Sequence, residues 1–443
     1  MTARLSHSSG RAAPYSNIEF LFSLRPTTMK LGLENITDLL RSIGDPQLAV
    51  PSVLVAGTNG KGSVTTCVSS ILRQAGLKTG SFYSPHLFRI NERIRIDGEE
   101  IPSAVLDSIL GELREYYDDT PFTFFEGVTA AAAIHFMREN VDVSVFEVGL
   151  GGRLDATRLV NAIITVITGI SKDHMQHLGQ SRKKILREKL GIARRGVPLV
   201  TNLDSNNLSG QARDWCSEEG IPWVDARSWR RRRLRSTGIS STDFFLETKL
   251  RDYGVVSTGM TGRVQMENAT TAIRCAEIMG GHFPSVDRDA ILKGVKKAFL
   301  PGRFQVLPGK PRIVLDVSHN EESLLAALST LNHIAPASRC VILIGLMARK
   351  ELGRFPSVAV GSSRRIVAVT LESEGGAVGE DLAEEFRKAG EAFSRDHGES
   401  PAEVLKAGGM RAALDIVRND LGEDDVLLIT GSHHTVEEAA RFL

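Results

Sequence analysis

No apolar run in this 443-residue chain approaches the ~18 residues that a membrane-spanning helix needs. Cysteine is scarce as well. Cys67, Cys216, Cys275 and Cys340 are widely scattered and no two have the spacing of paired metal ligands, so the pattern reads as reduced thiols in a cytoplasmic protein. Charge of one sign is also lacking. The formal net charge is +1, which excludes a whole-chain field that would draw in nucleic acid or an anionic membrane. Residues 1–16 are polar and small, without the apolar stretch of a secretory signal, and read as a disordered tail. What remains is a globular composition, 42% hydrophobic and 24% charged, with no long biased tract. The length suffices for two or three domains, each with its own core.

The most informative segment is Val53-Leu-Val-Ala-Gly57-Thr-Asn-Gly60-Lys61-Gly62-Ser63. A β-branched apolar run ends in a glycine-rich turn, then a lysine and a hydroxyl residue, and an apolar helix follows over 64–75. Strand, loop, lysine and helix in that order make a phosphate cradle, because backbone N–H groups and the positive helix end face a polyphosphate. Lys61 adds a charge, and a hydroxyl such as Ser63 can approach a magnesium ion. The loop is shorter than the general nucleotide motif and has glycine after the lysine, which makes it a narrower pattern.

Helical spacing recurs over 18–24, 36–43, 105–116, 127–138, 183–193 and 264–279, and buried strands over 141–148, 162–170 and 197–203. This alternation predicts a P-loop-type, mostly parallel sheet covered on both faces, over 17–297. The stretch 223–256 is less regular. Its basic run, Arg230-Arg-Arg-Arg233 with Arg235, lacks interleaved aromatics and reads as a solvated edge or loop rather than a nucleic-acid surface. Near 298–302 the pattern restarts. Short strands over 313–317, 341–345, 366–370 and 426–430, with helices over 322–333, 380–389 and 410–419, predict a smaller Rossmann-like α/β domain over 298–443.

Three clusters sit at the ends of predicted strands, where open α/β sheets bind ligands. Glu147 ends a strand beside the phosphate loop and is a natural magnesium ligand, followed by Gly149, Gly151 and Gly152, which let backbone approach a ligand. Asp173 and His174 follow another strand, although a lone histidine is more often a structural hydrogen-bonder. Lys189, taken alone, reads as a solvated helix residue. Asp316, His319 and Asn320 end the first strand of the second domain, where helix capping by Ser318 or Asn320 competes with ligand binding.

These motifs, taken in order, resemble the folylpolyglutamate synthase / dihydrofolate synthase family of the Mur ligase superfamily. The resemblance runs from about Lys30 to Ser432. It is carried by the phosphate loop, Ser84-Pro-His-Leu, Thr123-Phe-Phe-Glu126, Glu147 through Thr157, Asp173-His174, Arg187-Glu-Lys-Leu-Gly-Ile192, Pro301-Gly-Arg303 and Leu315-Asp with His319-Asn320. It implies an ATP-dependent amide ligase, in which a dihydropteroate or reduced folate carboxylate becomes an acyl phosphate that L-glutamate attacks. By resemblance, Thr58, Asn59, Gly60, Lys61, Gly62 and Ser63 hold the phosphates, and Asn268, Arg303 and Asp316 the nucleotide. Ser84, Glu147 and His174 would hold Mg2+. Lys61, His174 and Lys189 would serve catalysis, Lys189 as a carbamate (N6-carboxylysine). Thr123, Phe124, Phe125 and Glu126, with Leu154, Asp155 and Ala156, match the pterin-binding segments, and His319 and Ser432 would lie near glutamate. A monomer in the cytoplasm is the family expectation.

The chain departs from the family pattern at Arg158, Val264, Arg349 and His433-His434. Two other readings compete. A Mur-type ligase for another carboxylate is opposed by the pterin-type segments. A non-catalytic ATP-binding regulator would bind ATP and turn over no acceptor.

Overall fold

In the computed structural model, residues 16–24, 32–348 and 350–443 are described. Residues 1–15 of the expected tail, Lys30 at the start of the resemblance, and Arg349 lie outside them. Ser16, assigned to that tail, is the N-cap of the helix Asn17–Ser23, its side chain accepting from Glu19 N at 3.1 Å.

Alternation along the strand Ser52–Ala56 sets up a sheet with two covered faces. Val53 and Val55 pack with Val145 and Val166 on one side, and Leu54 and Ala56 with Phe146 and Ile167 on the other. Each such aliphatic side chain, fully buried, stabilises the fold by roughly 1.5–3 kcal/mol. The sheet has eight strands in the order Glu99–Glu100, Ile94–Ile96, Thr79–Phe82, Val143–Glu147, Ser52–Ala56, Ala162–Ile167, Leu199–Thr201, Trp223–Asp225. From Thr79–Phe82 onward all neighbours are parallel; the first two strands form an antiparallel edge.

The stretch 223–256 corrects the sequence reading. After Trp223–Asp225 it folds as the strands Trp229–Thr237 and Thr242–Thr248 which, with Asp252–Thr258, form a three-stranded antiparallel sheet. Its apolar side, Phe244, Leu246, Tyr253 and Val256, joins the core beneath the large sheet. The arginine run hid this period-2 pattern, because alternate arginines occupy positions an apolar residue would have marked. Arg232 stacks on Trp229 at 3.6 Å and pairs with Glu267 at 2.6 Å, and the run forms the edge strand.

A third sheet, of six strands, follows in the order Gln305–Val306, Arg312–Leu315, Val426–Thr430, Cys340–Ile344, Arg365–Val369, Glu403–Ala407. It is parallel apart from the short antiparallel first strand. Cores lie on both faces, Ile342 and Leu428 on one, Val341 and Leu427 on the other. Glu403–Ala407 was not anticipated, nor was the helix Phe355–Ser362. All four cysteines are buried and free, and burial pushes the Cys67 thiol up to about 12.

Candidate active site

Strands of both parallel sheets aim their carboxyl ends at one cleft of about 900 Å³. The loop after Ser52–Ala56 is shaped by what its glycines avoid. Gly57 has φ +152°, and a Cβ there would lie 1.9 Å from Thr168 Oγ1. Gly60 caps the following helix in the left-handed conformation, and a Cβ there would lie 2.3 Å from Asn268 Oδ1. Gly62 explains the departure from the general motif. A Cβ there would stand 3.0 Å from Leu300, 3.4 Å from Glu147 Oε2 and 3.7 Å from Arg303 Nη2. The helix Lys61–Gln74 makes its first bond from Val64 N to Gly60 O, so the amides of Lys61, Gly62 and Ser63 sit at its positive end.

Two opposite charges are sunk beside this loop. Burial pushes Glu147 above the usual carboxylate range, against the pull of Lys61 and Arg303. Burial pushes Lys61 down, with Glu147 opposing. Lys61 Nζ donates to Thr58 O at 3.2 Å, and Ser84 N donates to Glu147 Oε2 at 3.3 Å. Lys189 is not a solvated helix residue. It is 4% exposed, donates to Gly57 O at 2.8 Å, and is pushed down to about 7 by burial and then by Lys61. An amine in that range is partly neutral at physiological pH, the form that reacts with carbon dioxide.

His174 lines the cleft with φ +48° and is lowered to about 4, chiefly by desolvation. Its ring is therefore neutral and able to ligate. Ser84, Glu147 and His174 line the same cleft. Among the described residues no three of His, Cys, Asp and Glu form a metal cage. A hydroxyl, a carboxylate and an imidazole nonetheless fit a magnesium ion, which keeps waters and takes phosphate oxygens to complete its shell.

The second unit supplies the opposite wall. Asp316 accepts from Phe304 N at 2.8 Å and Ser318 N at 2.9 Å, fixing the turn that carries Arg303. Burial raises Asp316 despite these bonds. Asn320 caps the helix Glu321–Ile334 through Ser323 N at 3.1 Å, and also donates to Asn59 Oδ1 at 2.9 Å across the cleft. Capping and cleft contact are therefore one residue's work. Ser432 caps the helix His433–Ala440, accepting from Thr435 N at 3.0 Å, and His433 is pushed far below its ordinary value by burial.

The predicted pterin segments divide. Phe124 lines the cleft with Phe22 and Phe88, and Arg93 sits 5.3 Å over its ring. Phe125 packs on the core, meeting Phe82 at 6.0 Å, with its ring against the cleft residue Gly149. Thr123 and Glu126 form a reciprocal cap, with Glu126 Oε2 accepting from Thr123 N at 2.8 Å. Leu154, Asp155 and Ala156 stand behind the wall, where Asp155 holds Leu150 N at 2.8 Å and Thr157 N at 3.1 Å. Arg158 binds Gly191 O at 2.7 Å, next to the turn that follows Lys189. Thr58, Asn59, Ser63, Asn268 and His319 all line the cleft. So do residues absent from the predicted set: Gln265, which fixes the Asn268 amide at 3.0 Å, Asp173, Lys350 and His433. Asp173 was visible beside His174. Lys350 adjoins the departure at Arg349, which marks the stretch 348–351 but gives Lys350 no role.

The Mur ligase middle domain matches residues 55–276, and the Mur ligase glutamate ligase domain matches 302–433. A dihydrofolate synthase/folylpolyglutamate synthase of Escherichia coli is 31% identical over 426 residues, covering 96% of this chain and 94% of its own. A probable bifunctional folylpolyglutamate synthase/dihydropteroate synthase of Haloferax volcanii is 34% identical over 429 residues, and the chain spans about half (49%) of its length. Escherichia coli FolC in complex with DHPP and ADP superposes with a TM-score of 0.81 at 28% identity, covering 96% of this chain and 97% of that one. A bifunctional folylpolyglutamate synthase/dihydrofolate synthase with Mn, AMPPNP and L-glutamate bound gives 0.80 at 29%, covering 97% and 98%. With two Mur ligase domains in order and near-complete coverage of such a relative, the chain belongs to the dihydrofolate synthase/folylpolyglutamate synthase family.

Proposed function

We propose that this chain is an ATP-dependent amide ligase that joins L-glutamate to dihydropteroate and to reduced folates. The observation that carries the reading is the meeting at Gly62. The phosphate loop, the Glu147 carboxylate and Arg303 of the second unit come within 4 Å of one point, where the Gly62 Cβ would be. Phosphoryl transfer is limited by positioning and charge neutralisation, and this geometry supplies both.

In this mechanism, the amides of Lys61, Gly62 and Ser63 and the Lys61 ammonium hold the phosphates. Arg303 closes from the second unit, and Asn268 holds the nucleotide. The pteroate carboxylate attacks the γ-phosphorus and ADP leaves. The glutamate amine then attacks the acyl carbon, phosphate leaves and the amine loses a proton. Ser84, Glu147 and His174 would hold Mg2+, which when bound neutralises charge on the phosphates. Lys189, as a carbamate, turns a buried cation into an anion beside that cluster. Phe124 gives the acceptor an aromatic wall. Thr123, Phe125, Glu126, Leu154, Asp155 and Ala156 shape that wall from behind, and His319 and Ser432 face the glutamate side. We assign residues 17–297 to the ATP-binding unit and 298–443 to the closing unit, acting as a cytoplasmic monomer. Among the described residues no helix is long and apolar enough to cross a membrane.

The test is ADP release by purified protein with ATP, magnesium and glutamate. Release should depend on added dihydropteroate. ADP release indifferent to the acceptor would sink the proposal, and nucleotide binding without turnover would favour the regulator.

A further inference from the structure

The Asp173 carboxylate joins the two walls of the cleft. Its Oδ1 accepts from His174 N at 2.9 Å and from Lys350 Nζ at 2.7 Å. Its Oδ2 lies 3.3 Å from His319 Nε2 and 3.4 Å from Asn320 Nδ2. The side chain is only 8% exposed, so these contacts are little diluted by water. Three of the four partners come from the C-terminal unit. The fourth is His174, through its backbone N–H and with its ring Nε2 3.9 Å from Oδ2; it holds a left-handed conformation (φ +48°) that a residue with a β-carbon adopts reluctantly. Asn320 extends the junction to the phosphate loop through Asn59 Oδ1 at 2.9 Å, and Glu322 takes the Asn59 amide at 2.9 Å.

We infer that Asp173 is a positioning residue: held by Lys350, His319 and Asn320, it fixes the backbone of His174 and so couples the seating of the C-terminal unit to the metal side of the cleft. The inference rests on the reading of His174 as a metal ligand. It gives Lys350 a task although Lys350 is not among the residues assigned to hold ATP, metal, acceptor or glutamate. The competing account is an ion pair that only adds stability.

The experiment titrates Mn2+ into full-length protein saturated with a non-hydrolysable ATP analogue, following the loss of the free-ion electron paramagnetic resonance signal. Lys350→Met and Asp173→Asn should each weaken Mn2+ binding about tenfold, the usual scale for groups that orient a ligand. The double variant should be no worse than either alone, because both act through one contact. Lys350→Arg should recover most of the affinity, and the thermal midpoint of Lys350→Met without nucleotide should stay near that of the native chain. Mn2+ curves for Lys350→Met and Asp173→Asn that overlay the native curve would overturn the coupling, as would additive losses. If Asp173→Asn fails to fold, Lys350→Met alone decides between these outcomes. Native protein that binds the analogue but no Mn2+ would remove the metal reading itself, and the coupling with it. Native Mn2+ binding matched by Lys350→Met would remove the coupling alone.

Discussion

The two walls of the cleft are built from different materials. Where the N-terminal wall forms the phosphate loop it is largely backbone, with the side chains of Lys61, Glu147 and Lys189 buried beside it. At Gly57 and Gly60 a side chain would collide with Thr168 or Asn268, and the helix Lys61–Gln74 offers its amide end. The C-terminal wall is largely side chain: Ser432 caps a helix while lining the cleft, Asn320 caps another while bonding Asn59, and Asp316 holds a turn. A backbone wall can change only by moving the chain. A side-chain wall can change by substitution, as the departure at His433-His434 does there, and Val264 is a departure of the same kind among the cleft residues of the N-terminal unit.

Predictions follow this division, the largest effect first. Lys189→Ala should lower turnover about a thousandfold, a scale reached when a group at the reacting phosphates is lost. Added bicarbonate or short carboxylates should restore part of it, and steady-state rates with and without them check this. Glu147→Gln should cost about a hundredfold and flatten the magnesium titration, and an unchanged titration would count against its place at the metal. Gly57→Ala should destabilise the protein by about 1–3 kcal/mol and weaken ATP binding, because Thr168 must move, and its N lies 3.2 Å from the new Cβ. Denaturant midpoints and nucleotide titration measure both. Asn320→Ala, on the other wall, should cost only about 1 kcal/mol of stability for the lost cap. A loss as large as that of Gly57→Ala would break the contrast between the walls. The smallest effect is with pH. Lys189 has its pKa lowered to about 7, chiefly by burial, so its neutral amine grows as pH rises through that value. At limiting carbon dioxide the rate should therefore rise severalfold between about pH 6 and pH 8, and Lys189→Ala should lose that rise.

The contrast also explains what could be read from the chain alone. Gly57, Gly60 and Lys61 were legible because strand, turn and helix end demand those residue types in that order. Asn320 was legible only as a choice between cap and ligand, and the structure gives it the cap together with a bond to Asn59 of the phosphate loop. Lys189 looked like a surface lysine because periodicity does not report that its helix buries it against Gly57 O. Phe125 and Glu126 share a motif with Phe124, yet successive helical positions point about 100° apart, so one motif feeds both cleft and core. The sheet over 229–258 was hidden because the guanidinium groups of Arg231 and Arg232 stack on Phe245 and Trp229 where apolar side chains were expected.

The helix Lys61–Gln74 is buried along its whole length from Gly62 to Leu72. The helix Arg288–Lys297 presses against it so closely that a Cβ on Gly294 would lie 2.3 Å from the Ile71 Cα. Water must rotate many molecules to follow charge as it moves from one phosphate oxygen to another, and that reorientation is part of the barrier in solution. A dipole clamped along its whole length does not turn. Its field at the cleft is the same before, during and after phosphoryl transfer, so the solvent reorganisation that the reaction would otherwise require has been completed by folding.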